Sequence, residues 1–289
     1  MKKIYNISLL ALLSLIWVGC ENDDAAPNRA LAETTNGAVL RTFEVESGVF
    51  NFFDTTSEFS VTFGEQDAED GDLMQSVDVF VTLQKRTPAG SFQDAGSEVL
   101  LRTISASEFS IDEFGLPRTN LTASLDQVLA TLGITTNDFV GGDRIQFRLL
   151  LNLTDGRTFT VGDAAGNVES SSFFRSPYRY FATVACIPLN PVAGEYTFDL
   201  LDNFGDGWDG AFLTVTIDGV SQDITVTTDQ GDVAVHVFNV PVGTEEFTIE
   251  YTAGSFEGEH EYKILLDGEE IFSDGPGPGV GLVTLSICP

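Results

Sequence analysis

At 289 residues the chain has room for more than one domain core, and typical domain size makes two the natural expectation. Its 44 acidic against 14 basic side chains give a net charge of -30 and a pI near 4.1, a surface that repels phosphate backbones and anionic headgroups and argues against direct nucleic-acid binding. A hydrophobic content of 43% excludes a disordered acidic tail, so the chain is expected to be folded and strongly acidic.

The first twenty residues, "MKKIYNISLLALLSLIWVGC", read as an export signal. Lys2 and Lys3 precede an apolar core, Ile7 to Val18, that is too short for a convincing membrane span and ends at Gly19-Cys20. This resembles the bacterial lipoprotein signal, in which the cysteine is lipidated and becomes the mature first residue, although Trp17 stands where Leu is commoner. The alternative, an ordinary secretory signal, leaves Cys20 as a free thiol without a role. The next residues, "ENDDAAPNRA", resemble the surface-export signal of Bacteroidota lipoproteins; a solvated linker has the same composition. Residues 1–20 are thus expected to be a signal peptide ending at the lipidated Cys20, and 21–37 an acidic tether. The resemblance implies anchoring at the outer membrane, facing the cell exterior.

From residue 38 the dominant signal is period-two alternation, the mark of half-buried strands. "EFSVTFG" places Phe59, Val61 and Phe63 on one face, and "SVDVFVTLQK" does the same for Val77, Val79, Val81 and Leu83. "EVLLRTIS" follows. "SLDQVLATLG" is the one clear helix, with capping-box spacing between Ser124 and Gln127 and Gly133 as a stop. In "DRIQFRLLLNLTDG", Ile145, Phe147, Leu149, Leu151 and Leu153 share the apolar face and an Asp-Gly turn ends the strand. Arg144 and Arg148 fall on its solvent face; Arg175 and Arg179 read as strand-edge or inter-domain residues. With "RTFTVG" and "YRYFATVAC", residues 38–185 are expected to form an immunoglobulin-like β-sandwich with one short helix on a crossover.

After Cys186 the alternation resumes. "EYTFDLLD" buries Tyr196, Phe198 and Leu200, "AFLTVTIDG" Leu213, Val215 and Ile217, and "EFTIEYT" Phe247, Ile249 and Tyr251. "EYKILLDG" adds Tyr262, Ile264 and Leu266, and "GLVTLSIC" closes the chain. "TIDG" and "LLDG" are hairpin signals. Short, regularly spaced strands without a helix predict a second, jelly-roll-like sandwich over 186–289 and an all-β chain. Cys186 and Cys288 flank that domain. In an exported chain they are expected to bridge, closing a loop of about 100 residues and contributing about 2–4 kcal/mol. Two unrelated buried thiols are the alternative.

The loop "DNFGDGWDG" joins the first two strands of this second domain. Asp202 and Asp206 have the spacing of the first and fifth ligands of an acidic calcium loop, with Gly207 where such a loop turns sharply. Phe204 occupies an intervening ligand position, so the loop is not an EF-hand; Asp209 would restore a third carboxylate. Three readings stand: a Ca2+ site on Asp202, Asp206 and Asp209; a rigid turn in which Asp side chains accept backbone N–H bonds and Trp208 caps the core; and a sugar contact through an exposed Trp208.

"DNFGDGWDGAFLTVTIDG" resembles the "D-x-[YF]-G-D-G-W-[ND]-G" segment that recurs in secreted and surface proteins of marine Bacteroidota. "DGRTFTVGDAAGNVESSSFFRSPYRYFATVACIPLNPVAGEYTFDL" is similar to small surface lipoproteins encoded beside SusC/SusD-type outer-membrane uptake systems. Those pair a sandwich domain, a cysteine-marked junction and a small β domain, and the resemblance covers about the second half of this chain well. It implies a setting more than an activity. The sequence has no Gly-x-Ser-x-Gly elbow, His-Glu-x-x-His pair or phosphate loop. Its two histidines, His236 in a Val-rich strand and His260 in the acidic "EGEHEY", read as structural or solvated. The expectation is a non-enzymatic surface lipoprotein that binds or presents a glycan or other macromolecule, with polysaccharide or transporter proteins as partners. The alternative is a structural lipoprotein that packs against envelope proteins and has no ligand of its own.

Overall fold

A computed structural model describes residues 37–175 and 178–288; the expected signal peptide, Cys20 and nearly all of the tether lie outside the described residues. The chain runs β1 (Val39–Ser47), β2 (Val49–Asn51), β3 (Glu58–Gln66), β4 (Met74–Arg86), β5 (Phe92–Asp94), β6 (Val99–Ser105), β7 (Ser110–Ile111) and β8 (Pro117–Ser124). Helix α1 (Leu125–Leu132) follows, then β9 (Arg144–Leu153), β10 (Thr158–Phe159), the short α2 (Gly166–Glu169) and β11 (Arg179–Ala185). These strands make two sheets, ordered β1-β3-β8-β7 and β2-β11-β9-β4-β5, with β10 added on β9 and β6 on β4.

The alternation written in the sequence fixes which faces meet. Phe59, Val61, Phe63, Val77, Val79, Val81 and the odd-numbered residues of β9 from Ile145 to Leu153 are all buried. Phe59 of one sheet stacks on Phe147 of the other, ring centroids 4.2 Å apart, which closes the sandwich across its core. Helix α1 carries the chain from β8 in the first sheet to β9 in the second, the expected crossover. Its N-cap is Ser124, whose N–H donates to Gln127 Oε1 at 3.3 Å; Gly133 ends it in the left-handed region at φ 68°. Leu125, Val128 and Leu129 form its buried face.

The second sandwich comprises β12 (Gly194–Asp202), β13 (Phe212–Ile217), β14 (Val220–Ile224), β15 (Val233–Val240), β16 (Phe247–Thr252), β17 (His260–Leu266), β18 (Glu269–Asp274) and β19 (Gly281–Leu282). They form two antiparallel sheets, β15-β12-β17-β18 and β14-β13-β16-β19, a strand count consistent with a jelly-roll-like fold. Tyr196, Phe198, Leu200, Leu213, Val215, Ile249, Tyr251, Tyr262 and Ile264 fill the space between them. Both Asp-Gly signals are realised as two-residue hairpins of positive φ: Asp218 and Gly219 (47° and 79°) join β13 to β14, and Asp267 and Gly268 (49° and 88°) join β17 to β18.

The expected disulfide is present: Cys186 and Cys288 are bonded, Cα atoms 5.0 Å apart. The bridge is packed against the first sandwich at Gly141, where an added Cβ would lie 2.0 Å from Cys288 Sγ and 2.6 Å from Cys186 Sγ. Beside it the Asn51 side chain pairs with the backbone of Ile187, Nδ2 donating to its carbonyl at 2.9 Å and Oδ1 accepting its N–H at 3.1 Å. Val39–Pro289 hold together as one compact unit.

Candidate functional site

Strand register decides where the loops of the second sandwich gather. Leu201 at the end of β12 pairs with Val233 at the start of β15, and Asp202 pairs with His260 at the start of β17. The β12–β13, β14–β15 and β16–β17 connections therefore meet at one end of the sandwich, opposite the Asp-Gly hairpins. They are stitched together: Asn203 N–H donates to Glu259 O and Asp202 N–H to Asp232 O, both at 2.9 Å, while Ser255 N–H donates to Asp209 O at 3.1 Å.

Asp202 organises the first loop. Its side chain is buried; Oδ1 accepts the Phe204 N–H at 3.1 Å, and Oδ2 accepts Gly205 at 3.1 Å and Gly207 at 2.6 Å. Burial pushes the carboxyl pKa up, but N–H donors from Phe204, Gly207, Gly205 and Asp206 outweigh it and hold the group below its ordinary value. Asp202 is thus an ionised acceptor at neutral pH. Gly207 is required at its position: φ is +100°, and a Cβ there would come within 2.9 Å of Thr228 N.

Trp208 points inward. It is 1% exposed, its N–H donates to Val226 O at 2.9 Å and its Nε1–H to Leu201 O at 2.7 Å. The ring stacks on His260 with centroids 5.4 Å apart and meets Tyr251 edge-on at 5.9 Å. The expectation of Trp208 as an exposed sugar platform is therefore corrected: a ring enclosed on these sides has no face to offer a saccharide. The aromatics exposed in these loops are Phe204 (74%) and Phe256 (69%). His260 is wholly buried, with Nδ1 3.1 Å from the hydroxyl of Tyr251, which lies 2.7 Å from Glu257. His236 is partly buried on β15 and does not join this group.

The carboxylates that converge are Asp202, Asp206 and Glu259, one ligand oxygen of each lying within 4.8 Å of the others. This is an acidic cluster that could hold a metal ion. Two of its members were expected from the sequence. The third is corrected: Asp209, exposed and at φ 42°, is not in the group, and its place is taken by Glu259 from the β16–β17 loop. An open cavity of about 370 Å³ lined by Asp202, Phe204, Gly205 and Asp232 lies beside the cluster.

No protein-family model matches the chain, and no curated protein matches it. Among solved structures it is similar to red sea bream transglutaminase, at TM-score 0.26 and 10% identity, over 86% of this chain and 32% of that one. This chain thus spans about a third of that length. It is also similar to CBD12 from CALX1.2, at TM-score 0.23 and 8% identity, over 78% of this chain and 81% of that one.

Proposed function

We propose that the chain is a non-enzymatic lipoprotein, anchored through Cys20 at the outer membrane and facing the exterior. It binds or presents a polysaccharide or other macromolecule beside an outer-membrane uptake system. In this reading a Ca2+ ion sits among Asp202, Asp206 and Glu259, ties the β12–β13 loop to the β16–β17 loop, and fixes Phe204 and Phe256 for contact with the ligand. The observation that carries the reading is the convergence of three carboxylates from two loops, with two exposed phenylalanines in the same loops. Hard divalent cations take oxygen ligands of this kind, and glycine-rich turns add carbonyls.

The structural alternative draws on one observation of its own, the three N–H bonds, from Phe204, Gly205 and Gly207, that already serve the Asp202 carboxylate and stiffen the turn without a cation. Retention of the full chain on a panel of immobilised polysaccharides separates the two. The binding reading expects at least one polymer to retain the wild type in calcium. Phe204→Ala or Phe256→Ala should each lower that affinity by up to roughly tenfold, since such aromatic contacts are worth about 0.5–1.5 kcal/mol, and chelator should lower it too. Passage of the wild type through every column, with recovery in a stable envelope complex, would sink the binding reading.

A further inference from the structure

The outer face of the first sandwich's larger sheet holds an arginine that is built in and left without a counter-ion. Arg144 of β9 lies between two rings, its guanidinium carbon 3.7 Å from the centroid of Phe92 on β5 and 3.7 Å from that of Phe181 on β11. Its Nε donates to Gln84 Oε1 at 2.7 Å. Gln84, itself buried, is held by Nε2 bonds to Asp94 Oδ1 at 2.8 Å and Gln146 Oε1 at 3.3 Å. The orientation of the guanidinium is thereby set, and the two remaining nitrogens have no partner among the described residues. Arg179, exposed on β11, lies 5.7 Å from the same Phe181 ring and also lacks a carboxylate partner among the described residues.

Among the described residues Arg148, Arg118 and Arg102 have a carboxylate within 2.9 Å, whereas Arg144 and Arg179, like Arg41, Arg86 and Arg175, have none. What sets Arg144 apart is that buried Gln84 fixes its Nε while two rings clamp the guanidinium, so that with Arg179 nearby it forms a preorganised fork for planar or tetrahedral oxyanions. Burial, and next the nearby charge of Arg179, lower the pKa of Arg144; a bound anion offsets the second of these.

We propose that Arg144 and Arg179 form a receptor for the carboxylate or sulfate groups of an acidic polysaccharide laid across the β11-β9-β4-β5 face. The net charge of -30 repels any polyanion at long range; a sugar polymer also presents ring faces to the aromatic surround. At about 0.15 M salt the Debye length is about 8 Å, so the local pair outweighs acidic groups elsewhere. The choice of polysaccharide as occupant rests on the binding reading above, but this site is separate from the calcium loop and does not need the ion.

The test uses the full chain at 0.15 M salt with polygalacturonate, dextran sulfate, neutral dextran and a single-stranded oligonucleotide as titrants. Expected are binding of polygalacturonate if the site takes carboxylates, of dextran sulfate if it takes sulfates, and none of neutral dextran. Binding should persist in chelator and fall roughly tenfold in Arg179→Gln, whose side chain makes no hydrogen bond that folding needs. Arg144→Lys, which keeps the charge but loses the planar fork, should weaken it too; Arg102→Gln should not. Chelator sensitivity together with indifference to Arg179→Gln would move the binding to the calcium loop and overturn this site. Failure of both acidic polymers to bind, equal binding of dextran, or an equal or tighter complex with the oligonucleotide would overturn it as well.

Discussion

Trp208→Ala is expected to cost about 3–5 kcal/mol, the range for removing a large buried aromatic side chain, and to lower the melting midpoint by on the order of 10 °C. The ring fills the loop end of the second core between His260 and Tyr251, and its Nε1–H satisfies the Leu201 carbonyl. Trp208→Phe keeps much of the apolar area but leaves that carbonyl without its donor, so about 1–3 kcal/mol should be lost. Calorimetric melting of the three proteins checks the order wild type, Phe, Ala. Equal midpoints would return Trp208 to the surface and restore it as a sugar platform.

The second large effect depends on pH. Glu65 of β3 is 1% exposed, and neither carboxyl oxygen has a hydrogen-bond partner among the described residues. Burial, with a further contribution from the charge of Asp67, lifts its pKa from 4.5 to about 8. In the unfolded chain the group titrates near its ordinary value, so between about pH 4.5 and 8 the folded state retains a proton that the unfolded state has released. Stability from this group is therefore full below 4.5, falls as pH rises through the window, and is lost above about 8. At about 1.4 kcal/mol per pH unit the loss is on the order of 5 kcal/mol. Glu65→Gln has no proton to lose. Its midpoint, measured against wild type from pH 5 to 8.5, should gain steadily as pH rises, the other carboxylates cancelling in the difference. Two parallel curves would show that Glu65 ionises without penalty.

Much of the fold was legible because one face of each major strand is buried and the other wet. β3, β4, β9, β12, β13, β16 and β17 all wrote that alternation into the sequence, and α1 announced itself through Ser124, Gln127 and Gly133. β1 was harder to see: register shifts between Thr42 and Glu44 and between Val45 and Ser47 break its period. β2 is three residues long and pairs in parallel with β11, an arrangement set by tertiary context. The run "GLVTLSIC" forms a strand over Gly281–Leu282 alone. Further on, its backbone bonds to Ile249 and then to Cys186, leaving the ladder to reach the disulfide.

The site was half legible for a related reason. Asp202 and Asp206 belong to one local pattern, whereas Glu259 arrives through the pairing of β12 with β17, which no local pattern encodes. Trp208 misleads because acidic and glycine neighbours mark the segment as surface; its inward turn is fixed by distant partners, the carbonyls of Val226 and Leu201. His260, read as structural or solvated, proves structural, opening β17 fully buried from within an acidic stretch.

The central claim is that Asp202, Asp206 and Glu259 hold a cation that binds the two loops together. Thermal melting of the full chain in calcium and in chelator tests it most directly. A cation that binds the folded state should add about 2.7 kcal/mol at one hundred times its dissociation constant, and Asp206→Ala or Glu259→Gln should abolish that gain while Asp209→Ala retains it. Coincident wild-type curves in calcium and in chelator would contradict the account and leave the loop a turn held by the N–H donors around Asp202.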